Sequence, residues 1–233
     1  MRIGIIVAMS EELAILKQSL ENIKEEKYGS IILYTGQMFN KEVALLLCGI
    51  GKVNASIGTT ILIDKFNPDF VINSGVAGGF SKKLNVGDVV VSEELIHHDV
   101  DVTAFGYKYG QLPDMPLSFI PNKELQNVVL EVGKELDGIS VVSGAIMSGD
   151  VFVHTDEHVN SIISNFPQVM ACEMEGASVA QTCHIFNVKF VVIRSISDLV
   201  FKDDSVEGYQ FDMKESADKS AELVKKVLEK FEV

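Results

Sequence analysis

The sequence predicts a three-layer α/β domain built on a central mixed, largely parallel sheet. Three observations predict it. Short apolar runs that read as buried strands alternate from end to end with helical segments, the pattern of α/β folds. Glycine-rich segments follow several of those strands, where the backbone of an α/β site comes close to a ligand. No internal repeat, low-complexity tract or linker interrupts the 233 residues, so one domain over 1–233 is expected.

In chain order, residues 2–8 read as a buried strand rather than a signal peptide, because the apolar run meets Glu11 and Glu12 at once. Ser10 is placed to cap a helix over 11–24, and the dipole of that helix accounts for both acids without any functional role. Residues 30–35 and 43–47 read as a hairpin. Gly49-Ile-Gly-Lys-Val-Asn then opens a helix over 55–65, and 71–79 reads as a strand running into a turn at Gly75, Gly78 and Gly79. Neither glycine segment matches a nucleotide-binding motif. Residues 89–92 form a further strand, 121–136 an amphipathic helix, 141–147 a strand leading into 148–153, and 212–232 the closing helix.

The densest unusual chemistry lies in 170–198, MACEMEGASVAQTCHIFNVKFVVIRSISD. Glu173 and Glu175 sit in an apolar run, small residues from Gly176 onward read as a helix ended by Asn187, and 190–195 reads as a buried strand. Arg194, Ser197 and Asp198 finish that strand. Charged groups there are costly to bury unpaired, so either Glu175 and Arg194 form a structural ion pair with Asp198 capping the next turn, or the group is functional. Five unusual segments (9–12, 49–52, 75–79, 148–153 and 194–198) each follow a strand and should converge at one sheet edge, where such folds bind ligands.

Composition narrows the partners. A net charge of -13 repels nucleic-acid phosphates and anionic lipid, so neither is expected as a partner. No apolar run is long enough for a membrane helix. Cys48, Cys172 and Cys183 form no CxxC pair and read as reduced thiols of a cytoplasmic protein. His97-His98-Asp99-Val100-Asp101 and the His154/His158 pair lack the glutamate and third ligand of a zinc protease site, so no metal is expected. Residues 103–116 form a long aromatic loop suited to a ligand or a partner subunit.

The segments GIIVAMSEE, GIGKVNA, INSGVAGG, GDVVVSE, DVTAFGYKYGQLP, SGDVF, EMEGASVAQTC and VVIRSISD occur in this order. Together they resemble the 5'-methylthioadenosine/S-adenosylhomocysteine nucleosidases of the nucleoside phosphorylase superfamily, from residue 3 to about residue 212. The resemblance implies cofactor-free hydrolysis of an adenosine thioether to adenine and a thioribose. It makes Asp198 the general acid at purine N7, Glu12 the group that activates water, and Glu175 the acceptor for the ribose hydroxyls. It also implies that Phe152 stacks on adenine, that the Val153 backbone reads the base edge, and that Ser197 supports Asp198. Met9 and Met174 line the ribose, Arg194 helps hold the water, and Ile50 and Phe211 form apolar walls. Val76 stands where many members carry a serine that contacts the water. Val102, Phe105, Tyr107 and Pro113 match residues that complete the thioalkyl pocket of the other subunit in a homodimer. A phosphorylase would need a cationic phosphate site, which a chain with two arginines supplies poorly, and a mere binding protein has no need of three such carboxylates.

Overall fold

The computed structural model describes residues 1–136, 138–201 and 206–231, without the side chains of 206–214. The strands are β1 (Arg2–Val7), β2 (Glu21–Tyr28), β3 (Ile31–Met38), β4 (Lys41–Leu47), β5 (Phe70–Gly79), β6 (Val89–His97), β7 (Val141–Ser148), β8 (Val169–Glu173) and β9 (Lys189–Leu199). Between them run α1 (Ser10–Lys17), α2 (Lys52–Phe66), α3 (Lys123–Gly133), α4 (Asp156–Asn165) and α5 (Gly176–Phe186), with α6 (Val206–Lys230) last.

Strand alternation builds the layers. Side chains one residue apart on a strand point to opposite faces. Ile3, Ile5 and Val7 therefore pack with Leu16 of α1, Val129 of α3 and Leu223, Val227 and Leu228 of α6 on one face. Ile6 goes the other way, with Leu62 and Phe66 of α2 and Ala177, Ala180 and Cys183 of α5. Each fully buried aliphatic side chain of this kind contributes about 2 kcal/mol.

The sheet order is β2-β3-β4-β1-β5-β8-β7-β6-β9, and β9 returns to pair with β5. Five strands thus close into a ring at one end while β1, β4, β3 and β2 extend from it as an open sheet. Five pairings are parallel (β1–β4, β1–β5, β5–β9, β6–β7, β7–β8) and four antiparallel, the mixed sheet that was expected. Register shifts in the β5–β9, β6–β7 and β7–β8 pairs bend the strands enough to close the ring.

Several local expectations are corrected. The helix expected over 11–24 stops at Lys17, and Glu21–Tyr28 is a strand. This edge strand is exposed on both faces, so it lacks the alternation that marks a strand, and its Glu and Lys residues read as helical. Met9, not Ser10, is the N-cap of α1. β5 runs on through Gly79 where a turn was expected, and β9 continues to Leu199, so Asp198 lies in a strand instead of capping a turn. Neither α4 nor β8 was anticipated. Asn187, with φ of 54°, ends α5 as expected.

The seat of α2 is tight. A β-carbon at Gly58 would lie 2.7 Å from Cys48 Cβ and 2.8 Å from Leu46 Cδ2. Gly58→Ala gains helix propensity of about 1 kcal/mol, but overpacking of this kind costs roughly 1–3 kcal/mol. Urea unfolding should show a net loss of stability. A variant more stable than the parent would mean that α2 can lift off the sheet without penalty.

Candidate active site

The five strand-end segments meet at one cavity of about 830 Å³. Its first wall comes from α1. Glu12 is 1% exposed, and its Oε2 accepts the N–H groups of Ala8 at 3.2 Å and Met9 at 3.3 Å, capping the start of its own helix. The missing side chain of Gly75 on β5 gives Glu12 and Arg194 room: a β-carbon there would sit 3.1 Å from both Glu12 Oε1 and Arg194 Nη1. At Gly78 the same construction falls 3.2 Å from Asp198 Oδ2. The two glycines lie three positions apart on β5, about 10 Å of strand, and both carboxylates line the same cavity.

The bulge opposite Gly78 shapes the far end. Ala77 pairs with Ile196 but Gly78 pairs with Asp198, which leaves Ser197 as the extra residue. A regular strand presents alternate residues to one side; here consecutive Ser197 and Asp198 both line the cavity. Ser197 Oγ donates to Asp198 Oδ1 at 2.7 Å.

Glu175 closes the third side. Its Oε1 accepts the N–H of Gly51 at 2.8 Å, and Gly51 holds φ of 100°, a left-handed conformation that suits glycine. Arg194 lies beneath. It is 3.9 Å from Glu175 but 2.5 Å from Glu173, so the ion pair expected between Arg194 and Glu175 is made chiefly with Glu173. Glu173 also accepts the N–H groups of Glu175 and Gly176 at 2.9 Å and the hydroxyl of Ser148.

Burial decides the protonation of these groups. Burial pushes Glu12 up to about 7, against the pull of Arg194 and two backbone N–H groups. Burial, then the charge of Glu173, likewise pushes Glu175 to about 7. For Glu173 burial also pulls upward, but Arg194, Ser148 and the backbone donors together hold it below the ordinary carboxylate range. At Glu12 burial outweighs the dipole of α1, which favours the charged form of a first-turn acid.

A family model described as the phosphorylase superfamily matches residues 2–231. The 5'-methylthioadenosine/S-adenosylhomocysteine nucleosidase of Desulfotalea psychrophila is 50% identical over 229 residues, spanning 98% of this chain and 97% of its own. That of Bacillus subtilis is 47% identical over 230 residues, 99% of each chain. The chain belongs to the 5'-methylthioadenosine/S-adenosylhomocysteine nucleosidase family. It is an enzyme, a hydrolase. Its fold matches the crystal structure of the Neisseria meningitidis nucleosidase in complex with methylthio-immucillin-A at a TM-score of 0.94, with 41% identity and 99% of each chain covered. Among the described residues no helix is long and apolar enough to cross a membrane.

In this member of the nucleosidase family, the residues singled out from sequence gather as follows. Met9, Glu12, Ile50, Val76, Phe152 and Val153 line the cavity, as do Met174, Glu175, Arg194, Ser197 and Asp198. The side chain of Phe211 lies outside the described residues. Val102, Phe105, Tyr107 and Pro113 do not line this chain's cavity. Sequence reasoning passed over Glu173 as an anchor, the walls formed by Phe80, Cys172, Leu199 and Val200, and His154, whose ring stacks on Phe152 at 5.8 Å. The apolar setting of Glu173, two residues before Glu175, was the one signal available.

The raised pKa of Glu12 has a consequence for stability. A carboxyl whose folded pKa lies above its unfolded value of 4.5 is favourable to folding while neutral, and that advantage is lost as pH rises from 4.5 through about 7. The neutral side chain of Glu12→Gln carries no such dependence. Between pH 4 and pH 8 its stability relative to the parent should improve by about 3 kcal/mol in urea unfolding. A pH-independent difference would mean that Glu12 titrates in the folded protein as it does in water.

Proposed function

We propose that the protein hydrolyses the N-glycosidic bond of 5'-methylthioadenosine and S-adenosylhomocysteine, releasing adenine and the 5'-thioribose. The observation that carries this reading is the placing of Glu12 at Gly75 and Asp198 at Gly78 along one cavity wall, with Glu175 on the same cavity. Breaking the bond puts positive charge on the ribose and negative charge on the departing base. Asp198, its Oδ1 held by Ser197, delivers or shares a proton at purine N7 and lets adenine leave neutral. Glu12 takes a proton from water on the opposite ribose face; a pKa of about 7 suits a base at neutral pH. Glu175 accepts the 2'- and 3'-hydroxyls and favours the cationic ribose. Phe152 stacks on the base and the Val153 backbone reads its edge. Met9 and Met174 pack on the ribose, Ile50 supplies an apolar wall, and Val76 leaves the water to Glu12 and the Arg194 edge near Gly75.

Phosphorolysis is disfavoured by charge. Among the described residues Arg194 is the one Arg or Lys side chain lining the cavity, and Glu173 already neutralises it. Adenine release should therefore be the same with and without phosphate, and inosine should be a very poor substrate. Asp198→Asn should lower adenine release by about two orders of magnitude or more, with far less effect on binding of a substrate analogue. Near-normal turnover in that variant would remove Asp198 from the leaving-group step.

The reading extends to a cytoplasmic homodimer that serves methionine salvage and removes by-products of S-adenosylmethionine. Phe105 is 82% exposed, and Ile50 together with Val53 and Ile57 of α2 is exposed as well. A second copy covers such a surface and brings Val102, Phe105, Tyr107 and Pro113 to the neighbour's thioalkyl pocket. Tyr109, in the same aromatic loop as Phe105 and Tyr107, instead packs on Phe166 of its own subunit, with ring centres 5.9 Å apart. Replacing Phe105 and Tyr107 with polar residues should weaken the dimer and raise KM for methylthioadenosine more than for adenosine. A fully active wild-type monomer in sedimentation would overturn the dimer.

A further inference from the structure

Behind the cavity, Lys52, Asp99 and Asp150 form a closed ring of hydrogen bonds. Lys52 Nζ lies 2.6 Å from Asp99 Oδ1, the Asp150 N–H donates to Asp99 Oδ2 at 2.9 Å, and the Lys52 N–H donates to Asp150 Oδ1 at 2.8 Å. The three residues come from three different chain segments, those that follow β4, β6 and β7. None of them lines the cavity. The side chains of Lys52 and Asp99 are only about one-fifth exposed, at 21% and 20%, so this charge-assisted contact is partly shielded from solvent.

The ring bears on groups that the proposed reaction uses. The first N–H groups of a helix have no partner within it. No side chain of the Gly51 cap satisfies those of α2; instead the adjacent N–H groups of Gly51 and Lys52 find two carboxylates from distant segments. Gly51 donates to Glu175, and Lys52 donates to Asp150. A β-carbon on Gly51 would sit 3.1 Å from Asp150 Oδ1, so the ring lies beside the residue whose N–H holds Glu175. Phe152 follows Asp150 by two residues and Val102 follows Asp99 by three.

We propose that Lys52, Asp99 and Asp150 act as one positioning unit, which sets the Gly51 N–H against Glu175 and the Phe152 wall against the base; this rests on the function proposed above. The unit aligns substrate and takes no part in proton transfer. Loosening any member lets the 49–52 and 148–153 segments drift together, and small misplacements of binding groups are costly.

Two measurements on Lys52→Met, Asp99→Asn and the double variant test it. In adenine release from methylthioadenosine, each single variant should lower kcat/KM about tenfold. The double variant should be little worse than either single one, because the first change already opens the ring. Lys52→Arg, which keeps the donor and the charge, should hold kcat/KM near the wild-type value. In hydrogen-exchange mass spectrometry without substrate, Asp99→Asn should raise exchange in 49–54 and 149–153 together. Unchanged kcat/KM, losses that simply add in the double variant, or exchange confined to the neighbourhood of residue 99 would overturn the proposal. Should Asp99→Asn fail to fold, Lys52→Met, altered at a side chain in contact with solvent, tests the same coupling: exchange should rise in 99–101 and 149–153 together, and a rise confined to the neighbourhood of residue 52 would overturn the ring. A wild-type protein that releases no adenine would sink the function proposed above, while the exchange result still tests the ring.

Discussion

The arrangement of the site depends on one buried ion pair. Arg194 is 1% exposed, and an unpaired guanidinium in that position would cost several kcal/mol. Its donors are met: Nε and Nη2 by Glu173, Nη2 also by Asn73 Oδ1 at 2.7 Å, and Nη1 by the carbonyl of Ile193 at 3.2 Å. Glu173 in turn receives the N–H groups that open α5, and Ser148 takes the next one, from Ala177, at 2.7 Å. One network thus joins β5, β7, β8, β9 and the start of α5. Glu175 is placed because everything around it is fixed. Removing one member of the pair would strand the other charge in the core.

The same pair sets the electrostatics. The charge of Arg194 bears on both Glu12 and Glu175, yet its closest carboxylate contacts belong to Glu173. What remains of its charge pulls the two carboxyls down only partly against burial. Burial therefore leaves both carboxyls near 7, and the charge of Glu173 adds to the rise at Glu175.

How much of this was legible in the sequence follows from which forces are local. The glycine segments and the strand ends could be read, because glycine beside buried strands has a local cause; the roles of Glu12, Glu175 and Asp198 came instead from the resemblance to the nucleosidases, and the three side chains line one cavity. The fold class was legible for the same reason. The choice of Glu173 over Glu175 as partner of Arg194 was not. It is fixed by the pairing of β8 with β7 and β5, contacts between segments far apart in the chain. The strand at Glu21–Tyr28 was illegible for the opposite reason: it is held by pairing to β3 and buries almost nothing, so no hydrophobic period records it. That burial outweighs the helix dipole at Glu12 is a tertiary fact.

Ring closure limits how this molecule can meet others through its backbone. Because β9 joins β5 as well as β6, the far end of the sheet offers no open ladder. Among the described strands β2 alone ends the sheet, and it carries Glu21, Lys24, Glu25, Glu26 and Lys27 in eight residues. Incoming strands are met there by charge of both signs, which resists stacking into fibres. The closed ring keeps a chain with 47% hydrophobic residues from adding copies of itself strand by strand, and leaves recognition to its helices and loops.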